Sequence, residues 1–133
     1  MRVSELMQGA VKTVGPDAAV NEAVVALADS HISALPVVDV LGRMVGVISS
    51  TDILTSEAEA ENATAREALF EDTMVRDIMT LHPLTVSGDV EVREAAQQML
   101  YADIHRLFVV NGERVVGVIS TTDIMRAVAT GRL

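Results

Sequence analysis

The chain has 133 residues, half of them hydrophobic, and carries 19 acidic against 10 basic side chains for a net charge of −9. That length and apolar content are enough to bury a core in one compact unit and exclude a disordered chain. The negative charge and an aromatic content of 2% (Phe70, Tyr101 and Phe108) argue against a nucleic-acid surface, which needs basic grooves and stacking rings. No cysteine is present, so disulfides and thiolate metal sites are excluded and a reducing cytoplasm is expected. No apolar run approaches the roughly 20 residues of a membrane helix, and the first residues show no charged-then-apolar leader.

In chain order, Val3-Ser4-Glu5-Leu6-Met7 is a short lead-in that returns as Val75-Arg76-Asp77-Ile78-Met79. Thr13-Val14 and Thr85-Val86 read as short strands, each followed by a turn ending at Asp17 or Asp89. Apolar residues then fall at Val20, Ala23, Val24 and Leu27, matched by Val92, Ala95, Ala96 and Met99, the i, i+3, i+4, i+7 spacing of an amphipathic helix. Glu22 and Glu94 sit near the helix starts, where the dipole favours negative charge.

Ile32–Asp39 and Ile104–Asn111 read as strands, with the nitrogen of Pro36 expected to face away from its partner. Asn111-Gly112 signals a two-residue hairpin, whereas the first copy has a longer loop containing Gly42. Return strands Met44–Ile48 and Val115–Ile119 lead into Ser49-Ser50-Thr51-Asp52 and Ser120-Thr121-Thr122-Asp123, where closing helices begin. The copies stay 72 residues apart up to Asp39 and Asn111, and 71 apart at the two turns, because the second hairpin is one residue shorter. The chain is thus an internal duplication of a β-α-β-β-α unit. Its expected organisation is repeat one over 1–56, an acidic helical linker over 57–73, and repeat two over 74–133. Six acids against Arg66 alone mark that linker as a solvated helix continuing from Ile53.

Taken together, the lead-in Met, the Thr-Val pair, Leu35-Pro36-Val37-Val38-Asp39 and the duplicated Gly-Val-Ile-Ser-x-Thr-Asp turn resemble a pair of CBS domains, named after cystathionine β-synthase and jointly called a Bateman module. The resemblance covers essentially the whole chain. It implies an α/β (α+β) fold with two repeats packed through their sheets about a pseudo-twofold axis. It also implies two clefts for adenosine-containing ligands such as AMP, ADP, ATP, NAD or S-adenosylmethionine, and no required cofactor. Carried over by position, one cleft pairs Ser49, Thr51 and Asp52 with Leu84, Ile104, His105 and Arg106. The other pairs Ser120, Thr122 and Asp123 with Lys12, Ile32, Ser33 and Ala34.

Chemically, a carboxylate at a helix start can accept both hydroxyls of a ribose, and neighbouring hydroxyls and free first-turn amides can hold phosphate. Gly46 and Gly117 would permit close backbone approach, and Ile32 and Ile104 would flank the base. His105-Arg106-Leu107 resembles the segment that meets nucleotide phosphates in nucleotide-sensing members of the family, so the Asp52/Arg106 cleft is expected to be the better site. The competing reading treats Thr51/Asp52 and Thr122/Asp123 as helix N-caps only.

No paired histidines, nucleophile elbow or phosphate-binding Gly-Lys loop supports an enzyme. The expectation is a non-catalytic cytoplasmic sensor of adenine nucleotides. It would form a homodimer, by the apolar residues Ile53, Leu54, Ile124 and Met125, and act on an effector protein through ligand-dependent tilt of the repeats. The alternative is a ligand-free structural or interaction module.

Overall fold

The computed structural model describes residues 1–133 and is a mixed α+β fold with two small sheets. In chain order the elements are α1 (Val3–Leu6), α2 (Val20–Ser30), β1 (Ala34–Val38), β2 (Met44–Ser49), α3 (Ser50–Glu59) and α4 (Ala63–Asp72). They continue as α5 (Val75–Ile78), β3 (Thr85–Ser87), α6 (Val92–Ala102), β4 (Arg106–Asn111), β5 (Arg114–Ser120) and α7 (Thr121–Ala129). No helix is long and apolar enough to cross a membrane.

By packing, the chain divides into one unit of Lys12–Pro83 and another of Met1–Val11 with Leu84–Leu133. In the first, β1 and β2 form an antiparallel pair, and Val14 adds only a single parallel bridge to Val37. In the second, β3 is a full strand, parallel to β4, which pairs antiparallel with β5. Pro36 is tolerated because its carbonyl accepts from the Val14 N–H at 3.2 Å, so its nitrogen lies on the edge away from β2. Each hairpin slips register at the same place, between Val37 and Val38 and between Val109 and Val110. The extra residue of each bulge stands just before Gly46 or Gly117.

Each unit has its own core. In the Lys12–Pro83 unit, Val20, Ala23 and Leu27 of α2 pack with Leu35, Val37 and Ile48 of the sheet. In the other, Val92, Ala95 and Met99 of α6 do the same with Leu107, Val109 and Ile119. The lead-in helices close these cores: Val75 of α5 is fully buried in the first and Val3 of α1 in the second.

Two sequence expectations change. The linker is not one helix continuing from Ile53, since α3 ends at Ala60 and α4 starts afresh from Asn62. Glu57 and Glu59 crowd the C-terminal end of α3, where the dipole repels negative charge. Asn62 then caps α4 by accepting the Ala65 N–H at 2.8 Å. Asn62→Ala should therefore lower the stability measured by urea unfolding by about 1 kcal/mol. A change within error would mean that α4 does not depend on this cap.

The second hairpin turns on Gly112-Glu113, one residue later than expected, because Asn111 pairs with Arg114. Only Gly112, at φ 65°, has the positive φ that the first central position of a type II′ turn requires. The longer first loop is organised by Asp39, whose carboxylate accepts from the N–H groups of Leu41 and Arg43 and pairs with the Arg43 guanidinium at 2.9 Å. The Arg43 N–H, with help from its guanidinium and the Leu41 N–H, holds the Asp39 carboxyl below its ordinary value, and together they outweigh the opposing effect of burial.

Candidate functional site

The hydroxyl turns begin α3 and α7. The N-caps are Ser49 and Ser120, not the Thr-Asp pairs: each hydroxyl accepts the N–H of the aspartate three residues on, at 3.1 Å. Asp52 and Asp123 reach back through Oδ2 to the N–H of Ser49 and Ser120 at 2.9 Å, completing a capping box. The lead-in helices use the same return bond, since Glu5 accepts the Arg2 N–H and Asp77 the Met74 N–H. One oxygen of each turn carboxylate thus has a purely structural role, and only the other, Oδ1, is in question for a ligand.

That second oxygen meets the lead-in of its own unit. Thr80 donates its hydroxyl to Asp52 Oδ1 at 3.0 Å, and Gln8 donates its amide to Asp123 Oδ1 at 3.1 Å. Both donors are held over the return strands by paired backbone bonds, Thr80 with Val47 and Gln8 with Val118. This crossing explains Gly46 and Gly117. A Cβ on Gly46 would lie 2.9 Å from the Thr80 carbonyl oxygen, and one on Gly117 would lie 2.9 Å from that of Gln8. The close backbone approach expected from these glycines is therefore made by the chain itself.

First-turn amides are also partly spoken for. Ser50 N–H donates to the Ser33 carbonyl at 2.8 Å, and Thr121 N–H to that of His105 at 2.9 Å. Thr51 and Thr122, both exposed, keep their amides free of a protein acceptor.

The expected wall residues lie just before or at the start of β1 and β4. Ala34 stands opposite Ser49 and Arg106 opposite Ser120 in the two antiparallel pairs. Ile32 and Ile104 are half-buried against the cores of their own units, while Ser33 and His105 are exposed. Lys12 and Leu84 are exposed at the two places where the chain passes from one unit to the other. Arg106 is half-buried and forms neither an ion pair nor a side-chain hydrogen bond, so its guanidinium is free in a chain of net charge −9. No set of three His, Asp or Glu side chains comes together as a metal site.

Sequence reasoning did not single out Gln8 and Thr80. The signal was there: each follows the lead-in Met, and each glycine opposite implied something passing close.

A duplicated α+β unit with a serine-capped aspartate turn at the same place in both copies defines a tandem-repeat fold, and the family follows from comparison. The CBS domain model matches residues 3–59 and 75–130, and the chain belongs to the CBS-domain family. It is 32% identical over 126 residues to inosine-5'-monophosphate dehydrogenase of Methanocaldococcus jannaschii, covering 94% of this chain and 23% of that protein. It is 26% identical over 135 residues to the chloroplastic CBS domain-containing protein CBSX1 of Arabidopsis thaliana, covering 86% of this chain and 57% of that one. The chain thus spans well under two thirds of these curated relatives. Among solved structures, it resembles the CBS domain pair of protein MJ0100 in complex with 5'-methylthioadenosine and S-adenosyl-L-methionine, with 27% identity, TM-score 0.80 and 98% of each chain covered. It also resembles CBSX2 in complex with AMP, with 26% identity, TM-score 0.84, and 99% of this chain and 98% of that one covered.

Proposed function

We propose that the chain is a regulatory module that binds an adenosine-containing small molecule and passes its occupancy to a partner protein. The single observation that carries this reading is that CBS pairs matching the chain almost end to end hold AMP in one case and S-adenosyl-L-methionine with 5'-methylthioadenosine in another. In this chain, Asp52 with Ser49 and Thr51 would take the ribose and Arg106 with His105 the phosphate, beside Leu84 and Ile104. The weaker set is Ser120, Thr122 and Asp123 with Lys12, Ile32, Ser33 and Ala34. A free guanidinium suits a phosphate, which it can grip through two parallel N–H bonds. The proposed role is binding rather than catalysis, in the cytoplasm, with AMP, ADP or ATP as first candidates and NAD or S-adenosylmethionine next.

The output surface we propose is a twofold homodimer through α3 and α7. Leu54 and Met125 are 63% and 64% exposed there, beside apolar grooves of about 280 and 220 Å³. Ile53 does not take part as expected, since it is buried in the core.

A ligand-free interaction module is the second reading, favoured by the fact that Thr80 and Gln8 already occupy the outer carboxylate oxygens. Melting curves separate the two. A cognate ligand at 100 times its dissociation constant should stabilise the fold by about 2.7 kcal/mol. No shift with AMP, ADP, ATP, NAD or S-adenosylmethionine would leave the interaction module standing.

A further inference from the structure

The two turn carboxylates share one capping box but differ at their outer oxygen. Asp52 Oδ1 accepts only the Thr80 hydroxyl, at 3.0 Å, and the residue is half-buried. Asp123 Oδ1 accepts the Gln8 amide at 3.1 Å, has the Arg126 guanidinium 3.8 Å away, and belongs to a residue only 5% exposed. Thr80 and Gln8 occupy equivalent positions, each pinned by the same two backbone bonds to a return strand.

The chemistry of these two donors differs. A hydroxyl both donates and accepts, and it rotates freely, so Thr80 can turn aside or accept from an incoming diol while that diol donates to Asp52. The Gln8 NH2 group only donates, and it competes with a diol for the same lone pairs. Arg126 further satisfies the charge of Asp123, so the carboxylate gains less from a neutral sugar.

We propose that Gln8 is a built-in occupant of the Asp123 turn, which it withholds from ligand, making the Asp52 turn the one that accepts it. This rests on the adenosine reading above. Gln8 is thus a residue that determines which copy binds.

Titration calorimetry on the full chain with AMP, and separately with S-adenosylmethionine, tests the assignment. The parent chain should bind one ligand per chain, and Gln8→Thr, which installs the residue of the other copy, should bind two. Gln8→Ala should gain the second ligand as well, while Thr80→Gln should weaken the first by about tenfold, the worth of one hydrogen bond to a charged group. Unchanged circular dichroism establishes that each variant is folded. Two ligands on the parent chain, or one on both Gln8 variants, overturns the assignment and leaves the adenosine reading intact. Binding only after Gln8 is replaced supports the assignment and removes Asp52 as the parent site. No binding by any form overturns both.

Discussion

Gly117→Ala is expected to destabilise the chain by about 2–3 kcal/mol, near the top of the range for overpacking a tight site. At this chain length that lowers the melting temperature by roughly 10 °C. The new Cβ would stand 2.6 Å from Met7 Sδ and 2.9 Å from the Gln8 carbonyl oxygen. The methionine can swing away, but the carbonyl cannot, because it accepts the Val118 N–H at 3.0 Å while the Gln8 N–H donates back at 2.9 Å. Gly46→Ala should behave alike against Met79 and Thr80. Gly9→Ala and Gly15→Ala, with nothing within 4 Å, should stay within about 0.5 kcal/mol of the parent. Adding Met7→Ala to Gly117→Ala should recover little. Equal melting temperatures for all four single variants would show that the lead-ins do not press on the return strands.

The second large effect concerns ligand. Asp52→Ala should weaken AMP binding by at least about tenfold, since the ribose would lose its hydrogen bond to the charged Oδ1 acceptor. The same change removes the partner of the Ser49 N–H, so stability should fall by about 1 kcal/mol as for any lost cap. Those effects separate in calorimetry run well below the melting point. A stability loss with an unchanged dissociation constant would reduce Asp52 to a helix cap. Arg106→Ala should weaken AMP more than adenosine, because only AMP offers the phosphate its guanidinium would grip.

The duplicated pattern made most of the fold legible. Apolar spacing at Val20, Ala23 and Leu27 located α2, and the same spacing at Val92, Ala95 and Met99 located α6, with these residues buried as read. Partnership of the lead-ins was less accessible. Val45–Ser49 and Val116–Ser120 are the same five residues, so either strand would accept either lead-in on sequence grounds. The structure places Met7-Gln8 on the second and Met79-Thr80 on the first. The break at Ala60 was obscured by the alanine-rich composition, although Asn62 is a strong N-cap residue type. At the turns, sequence identified the aspartates but not the neighbours that already hold them, because contacts over 28 and 115 residues leave no local trace.

The crossing of the lead-ins has a consequence for dissection of the gene. A fragment ending near Asn62 would keep α2 and its hairpin yet lack Val75, and the complementary fragment would lack Val3, each fully enclosed in the intact chain. Neither product would be self-sufficient. A circular permutant opened at Lys12, by contrast, would run through one whole unit, Lys12–Pro83, before starting the next.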